Sequence, residues 1–189
     1  MQFKTWLGAF QLALLLPLLT LSGCGTPADA PGMRITPADV LQMRSWIPPG
    51  LKGQLVLAPV AGGEPTGRFW GSRISNSMLE QSIDESLRAL GLLTNVPGGG
   101  RYTLTAKLIE LDQPMVALTM KVSVTIEYSL IDRQVDDKVV YQHRLRTVHT
   151  VNFTESMLDI NDRTRLASEG AVRRNVEVMV RELMEIGWN

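Results

Sequence analysis

Between Leu118 and Leu130 apolar and polar residues alternate without a break: Leu118, Met120, Val122, Val124, Ile126, Tyr128 and Leu130 against Thr119, Lys121, Ser123, Thr125, Glu127 and Ser129. A period of two over that length predicts a strand with one buried and one wet face. Upstream, Tyr102, Leu104, Ala106 and Leu108 share a side until the pattern slips to Ile109 and Leu111, which predicts a bulge or strand end near Leu108. Pro114 marks the turn between these two strands. Val135-Asp136-Asp137-Lys138 has turn chemistry. After it, Val139 to Phe153 sets Tyr141, His143, Leu145, Thr147, His149 and Val151 against Gln142, Arg144, Arg146, Val148 and Thr150. Three adjacent antiparallel strands are the economical arrangement, because hairpins need only short links.

Elsewhere the period is helical. Leu79, Ile83, Leu87 and Leu90 follow one another at intervals of four, four and three, behind Ser77-Met78-Leu79-Glu80, which matches a capping box. Ser75 or Asn76 offers a start one turn earlier, and Gly91 a stop. A second helix is expected over Asp162 to Ile186, with Leu166, Val172, Val176, Met179, Val180 and Leu183 toward a core and Gly170-Ala171 permitting close approach. The apolar run Leu55 to Val60, set between Gly53 and Gly62-Gly63, reads as a first strand. The expected domain, residues 53–189, is therefore α+β: a two-layer sandwich with a mainly antiparallel four-stranded sheet, two helices on one face, and the order β-α-β-β-β-α.

The N-terminus carries a different pattern. Lys4 precedes Trp6 to Leu21, a mostly apolar run too short to span a bilayer and followed by small residues, the layout of a secretory signal peptide over residues 1–23. Leu21-Ser22-Gly23-Cys24 resembles the lipobox of bacterial lipoproteins. The resemblance implies that Cys24 receives diacylglycerol, becomes the first residue after cleavage, and is acylated again on its amine. By the sorting rule of such lipoproteins, Gly25 in place of an aspartate implies the outer membrane. Residues 24–52 hold five prolines and no sustained period, so they read as a lipidated cysteine and a Pro-rich tether. As a flexible coil of about 25 residues it would span roughly 25 to 30 Å. Val40, Leu41, Met43, Trp46 and Ile47 form an apolar patch within it, and docking of that patch on the domain is the expectation.

Composition narrows the function. Hydrophobic residues at 44% and charged residues at 20% describe a foldable chain. Nineteen basic and nineteen acidic residues balance, with no basic run that could neutralise a row of phosphates, which argues against nucleic-acid binding. Removal of residues 1–23 takes Lys4 with it and leaves a net charge of −1. A single cysteine excludes a disulfide framework and every cysteine-cluster metal site. Gly62 to Phe69 has two glycines at phosphate-loop spacing, but Arg68 stands where the lysine is needed and Phe69 where a magnesium-binding hydroxyl is needed. His143 and His149 share one side of one strand about 20 Å apart and cannot share one metal ion. No G-x-S-x-G is present, and acidic pairs fall in turns or at a helix start. No cofactor, metal or catalytic set is assigned. Trp46 and Trp70 stand out as side chains that fill core edges or contact a partner.

Segments including Phe69-Trp70-Gly71-Ser72-Arg73-Ile74-Ser75-Asn76, Leu87-Arg88-Ala89-Leu90-Gly91, Leu111-Asp112-Gln113-Pro114 and Leu166-Ala167-Ser168-Glu169-Gly170-Ala171-Val172-Arg173 resemble small proteobacterial envelope lipoproteins. In overall plan the chain also looks like the YajG-type lipoproteins and, more distantly, the outer-membrane lipoprotein of lipopolysaccharide assembly. These resemblances imply a fold and an address. The expected function is a non-enzymatic accessory or binding module on the periplasmic face of the outer membrane, held there by acyl chains on Cys24. It would engage an envelope protein complex, peptidoglycan or lipid. The alternative is a hydrolase or acyltransferase on cell-wall or lipid-linked substrates, with a site assembled only in three dimensions.

Overall fold

The computed structural model describes residues 27–64, 73–113, 119–152 and 160–188. Four strands form one sheet in the order β1 (Leu55–Leu57), β2 (Tyr102–Asp112), β3 (Met120–Asp132), β4 (Lys138–Val151). The expectation of a mainly antiparallel sheet is corrected at one edge: β2, β3 and β4 are antiparallel, but β1 runs parallel to β2, so the sheet is mixed. A crossover through a helix carries the chain from the C-terminal end of β1 back to the end at which β1 began, which makes the two strands parallel. The slip in β2 is a bulge, with Leu108 opposite Ile126, Glu110 opposite Thr125, and Ile109 left over. Asp136 and Asp137 turn the β3–β4 hairpin with φ of 48° and 53°, a conformation that aspartate tolerates better than most residues.

The crossover helix spans Asn76–Leu90 and begins earlier than the capping-box reading placed it. Ser75 is its N-cap and accepts the Met78 amide at 3.3 Å. Glu80, expected to close a capping box on Ser77, instead accepts the Val60 amide at 3.0 Å and ties down the loop after β1. The long C-terminal helix spans Ile160–Glu185 and packs on β3 and β4. Leu79, Ile83, Leu87 and Leu90 of the first helix and Val172, Val176, Met179, Val180 and Leu183 of the second meet Leu104, Val122, Val124, Ile126, Tyr128 and Leu130 in one core.

The order β-α-β-β-β-α holds only from Leu55 onward. Before it the described part of the expected tether is folded: α1 (Ala30–Met33), α2 (Pro37–Arg44) and a 3-10 turn (Pro49–Leu51). With these included, the crossover helix is α3 and the C-terminal helix α4. Proline opens both short helices, and Thr36 caps α2 by accepting the Asp39 amide at 3.2 Å; proline costs a helix nothing in its first turn, where its missing donor is not needed. Residues 28–51 form a strap that packs on both α3 and α4, so the helix layer is not two helices alone. Ala28, Ala30, Met33, Ile35, Met43, Ile47 and Leu51 are buried. The tether reading is corrected for this reason: its apolar residues, too irregularly spaced to predict an element, fill the space between two helices.

Polar contacts fix the strap's course. The Ala28 amide donates to the Arg73 carbonyl at 3.3 Å and the Asp29 amide to Glu169 Oε1 at 2.9 Å. Arg173 donates to the Gly32 carbonyl at 3.3 Å, and the Ile35 amide to Ser86 Oγ at 3.1 Å. Arg34 pairs with Glu85 at 3.2 Å. The Glu169 side chain is only 5% exposed and is also held by Arg165 at 3.0 Å, the partners a buried carboxylate requires. Gly32 makes this approach possible, since a Cβ there would overlap the Glu169 carboxylate.

At the far end of the sheet Arg101 donates twice to Asp132 Oδ2, at 2.9 and 2.7 Å, and the Gln134 amide donates to Oδ1 at 2.9 Å. The hydrogen bond from Arg101 holds the Asp132 carboxyl below its ordinary range. A depressed carboxyl contributes stability that is present at neutral pH and is lost as pH falls through its folded value. In Asp132→Asn the deficit relative to wild type, read from denaturant unfolding, is expected to be largest near pH 7 and to shrink below about pH 4; an equal deficit at pH 7 and pH 3 would refute the linkage.

Five large strap side chains at about 1.5 to 3 kcal/mol each amount to roughly 10 kcal/mol of burial, against a net stability of about 5 to 15 kcal/mol for a whole domain. A fragment beginning at Gly53 is therefore expected to lack a cooperative thermal transition that a fragment beginning at Thr26 shows. Within the longer chain, Met33→Ala is expected to cost about 2 to 5 kcal/mol.

Candidate functional site

Of the residues singled out in the sequence, Cys24 and Trp70 lie outside the described residues, as does most of the Gly62–Phe69 segment. Trp46 lies on the strap just past α2 and is 59% exposed. The docking expected of its apolar patch divides the patch in two: Met43 and Ile47 are buried, while Leu41 and Trp46 face out.

The sheet has two unlike faces. The face away from the helices carries Lys107, Glu127 and Arg144 in one row across β2, β3 and β4. Arg144 donates to Glu127 at 2.8 Å. Arg146 donates to Ser123 Oγ at 3.0 Å and lies 3.8 Å from Asp112. These long side chains cover Ser123 and Thr125, which are buried although they point to the open side. The outer strand β4 has fourteen residues, no Asp or Glu, and Lys138, Arg144 and Arg146. It ends the sheet, so its outer row of backbone groups has no strand partner among the described residues. Such an edge can accept an extended segment.

On the helix side of β4 both histidines occupy the face expected of them. His143 sits opposite Tyr128 and His149 opposite Val122. Glu182 of α4 draws Tyr141 and His143 together, accepting the tyrosine hydroxyl at 2.7 Å and lying 2.8 Å from His143 Nδ1. Partial burial, then the hydrogen bond to Glu182, raises Tyr141 above the ordinary phenol range, so it is a neutral donor at physiological pH. This grouping pairs an acid with a histidine, but its third member is a phenol that donates to the same carboxylate. Glu182 is thereby committed to orienting two neighbours. Sequence reasoning missed Glu182 because its partners come from another element.

Further along, Asn175 donates to the Leu145 carbonyl at 2.9 Å and to Thr147 Oγ1 at 3.1 Å, and Thr147 donates to the Ala171 carbonyl at 2.8 Å. These bonds clamp β4 to α4. Burial raises the Tyr128 hydroxyl far above the phenol range, and the hydroxyl has no hydrogen-bond partner among the described residues. No group of three His, Cys, Asp or Glu side chains among the described residues could hold a metal ion. No helix among the described residues is long and apolar enough to cross a membrane.

No family model matches the chain, and no curated protein sequence matches it. Solved structures do share its fold. Protein XCC0632 of Xanthomonas campestris, assigned to the domain family DUF330, superposes with a TM-score of 0.53 at 16% identity, over 73% of this chain and 89% of that one. Protein CT253 of Chlamydia trachomatis superposes with a TM-score of 0.50 at 13% identity, over 71% and 97%. A minor lipoprotein of Acinetobacter baumannii overlaps more loosely, with a TM-score of 0.42 at 11% identity over 71% and 92%.

The approach of α4 to β4 has a clear weak point. A Cβ added at Gly170 would overlap the His149 ring, and overpacking of this kind costs about 1 to 3 kcal/mol. Gly170→Ala is expected to destabilise by that amount. Combined with His149→Ala it should cost less than the two singles added together. Strict additivity in a double-mutant cycle would show that the ring does not meet the new methyl group.

Together these observations show an α+β fold shared with XCC0632 and CT253, whose helix layer is clamped to β4 and whose other sheet face is polar.

Proposed function

We propose that the protein is a lipid-anchored lipoprotein of the outer membrane, facing the periplasm, whose domain serves as a non-enzymatic accessory or binding module in envelope assembly or transport. The observation that carries this reading is Leu21-Ser22-Gly23-Cys24 behind the apolar run ending at Leu21. Acyl chains on Cys24 would hold the protein firmly, since each buried methylene contributes about 0.8 kcal/mol and two or more chains anchor stably where one does not. Gly25 supports the outer-membrane address.

The described surfaces support the binding-module part. An ion-paired polar sheet face and a fourteen-residue edge strand without a further strand partner among the described residues suit contact with another macromolecule better than turnover of a small one. The Tyr141–His143–Glu182 grouping lacks the activated nucleophile that a hydrolase or acyltransferase needs beside its base. An envelope protein complex, peptidoglycan or lipid would be the partner class.

Cells given labelled palmitate are expected to incorporate it into wild type and not into Cys24→Ala. Wild type should fractionate with the outer membrane, and Cys24→Ala should not. A wild-type protein recovered soluble from the periplasm, with no acyl chain by mass spectrometry, would end this reading.

A further inference from the structure

The strap leaves two large apolar side chains in solvent. Leu41 is 76% exposed and Trp46 59%, while Met43 and Ile47 of the same segment are inside. α2 turns Ala38, Leu41 and Arg44 outward. Its last turn is continued by the Trp46 amide, which donates to the Met43 carbonyl at 3.0 Å. A tryptophan, a leucine and an arginine presented together are the side chains that settle at a membrane–water interface, where the ring sits at headgroup depth and the cation meets phosphate. Residues 27–52 contain Arg34, Arg44 and Lys52 against Asp29 and Asp39, a net +1 in a mature chain of net −1.

The length of chain ahead of the strap says what covers it. Only four residue steps separate Cys24 from Ala28, whose amide is already fixed to Arg73. Fully extended, they reach at most about 14 Å. The thirteen residues of β3 alone make the domain about 40 Å long. A leash so short cannot lift the domain clear of the headgroups or let it turn over. The side from which the chain leaves must stay against the bilayer, and the strap belongs to that side, in the helix layer and opposite the open sheet face.

Building on the acylation of Cys24 proposed above, we infer that the strap face rests on the lipid surface, with Leu41 and Trp46 in the interface and Arg44 against lipid phosphate. The open sheet face then looks into the periplasm.

Acylation leaves the mature chain without a free thiol, so Leu41→Cys, Val135→Cys and Arg144→Cys each provide a single labelling point at an exposed position. The full lipoprotein, carrying an environment-sensitive fluorophore, is placed in phosphatidylethanolamine and phosphatidylglycerol vesicles containing a headgroup-level quencher lipid. Quenching is expected to be several-fold greater for the Leu41→Cys label than for those at Val135→Cys and Arg144→Cys. Adding Trp46→Ser and Arg44→Ser to the Leu41→Cys chain should reduce it. Equal quenching at all three positions in acylated protein that floats with the vesicles would overturn the orientation and leave the anchor intact. So would greater quenching at Val135→Cys, which would mean an end-on stance. Efficient crosslinking between two Leu41→Cys chains without lipid quenching would assign the strap face to a second copy and overturn the inference. Protein that carries no acyl chain by mass spectrometry would instead remove the anchor, and this orientation with it.

Discussion

The strap's insertion between α3 and α4 is the constraint on which the rest of the molecule depends. Two helices set on one sheet leave a furrow between them; α1 packs on both of them and α2 on α3, and Met33, Ile35, Met43, Ile47 and Leu51 of the strap are buried. The Asp29 amide and Arg165 compensate the charge of Glu169, which would otherwise be costly to bury. Because the strap runs from the Arg73 end of the domain to the start of β1, it also decides where the chain leaves the fold. The segment that completes the core thus also fixes where the chain enters the fold, at Ala28 beside Arg73.

The sheet divides its work between its faces. On the helix side, polar groups are few and mostly tied: Thr147 and Asn175 join β4 to α4, and Glu182 holds Tyr141 and His143. On the open side, charges of opposite sign face each other across strands, as Glu127 does Arg144, a pairing that keeps a wide flat surface wet. The β4 edge has only basic charges. Two identical β4 strands would bring those charges together, which disfavours edge pairing between copies.

Local pattern made much of the fold legible. Alternation in β3 and the slip in β2 rest on the two-residue period of a strand, and the aspartate turn on aspartate's tolerance of a positive φ; both depend only on neighbours in sequence. The crossover helix was legible from its leucine spacing, but local pattern leaves its cap open between Ser75 and Ser77, which offer similar hydroxyls; Ser75 takes the role, and Glu80 is drawn away by the Val60 amide, a partner twenty residues distant. Docking of the strap's apolar patch was expected, and Met43 and Ile47 are buried, but its helices and its course were illegible for a related reason. Its apolar residues fit no helical or strand period because they answer to the shape of the furrow between α3 and α4.

By itself, the sequence determined the composition of the chain, the strand faces and the leucine stripe of the crossover helix, and it carries the lipobox-like run Leu21-Ser22-Gly23-Cys24, since each is written in residues close together along the chain. Only the tertiary structure decided that β1 is parallel, that Glu182 gathers Tyr141 and His143, and that the presumed tether is part of the core. These depend on distances between residues far apart in the chain, and such distances exist only once apolar faces have packed.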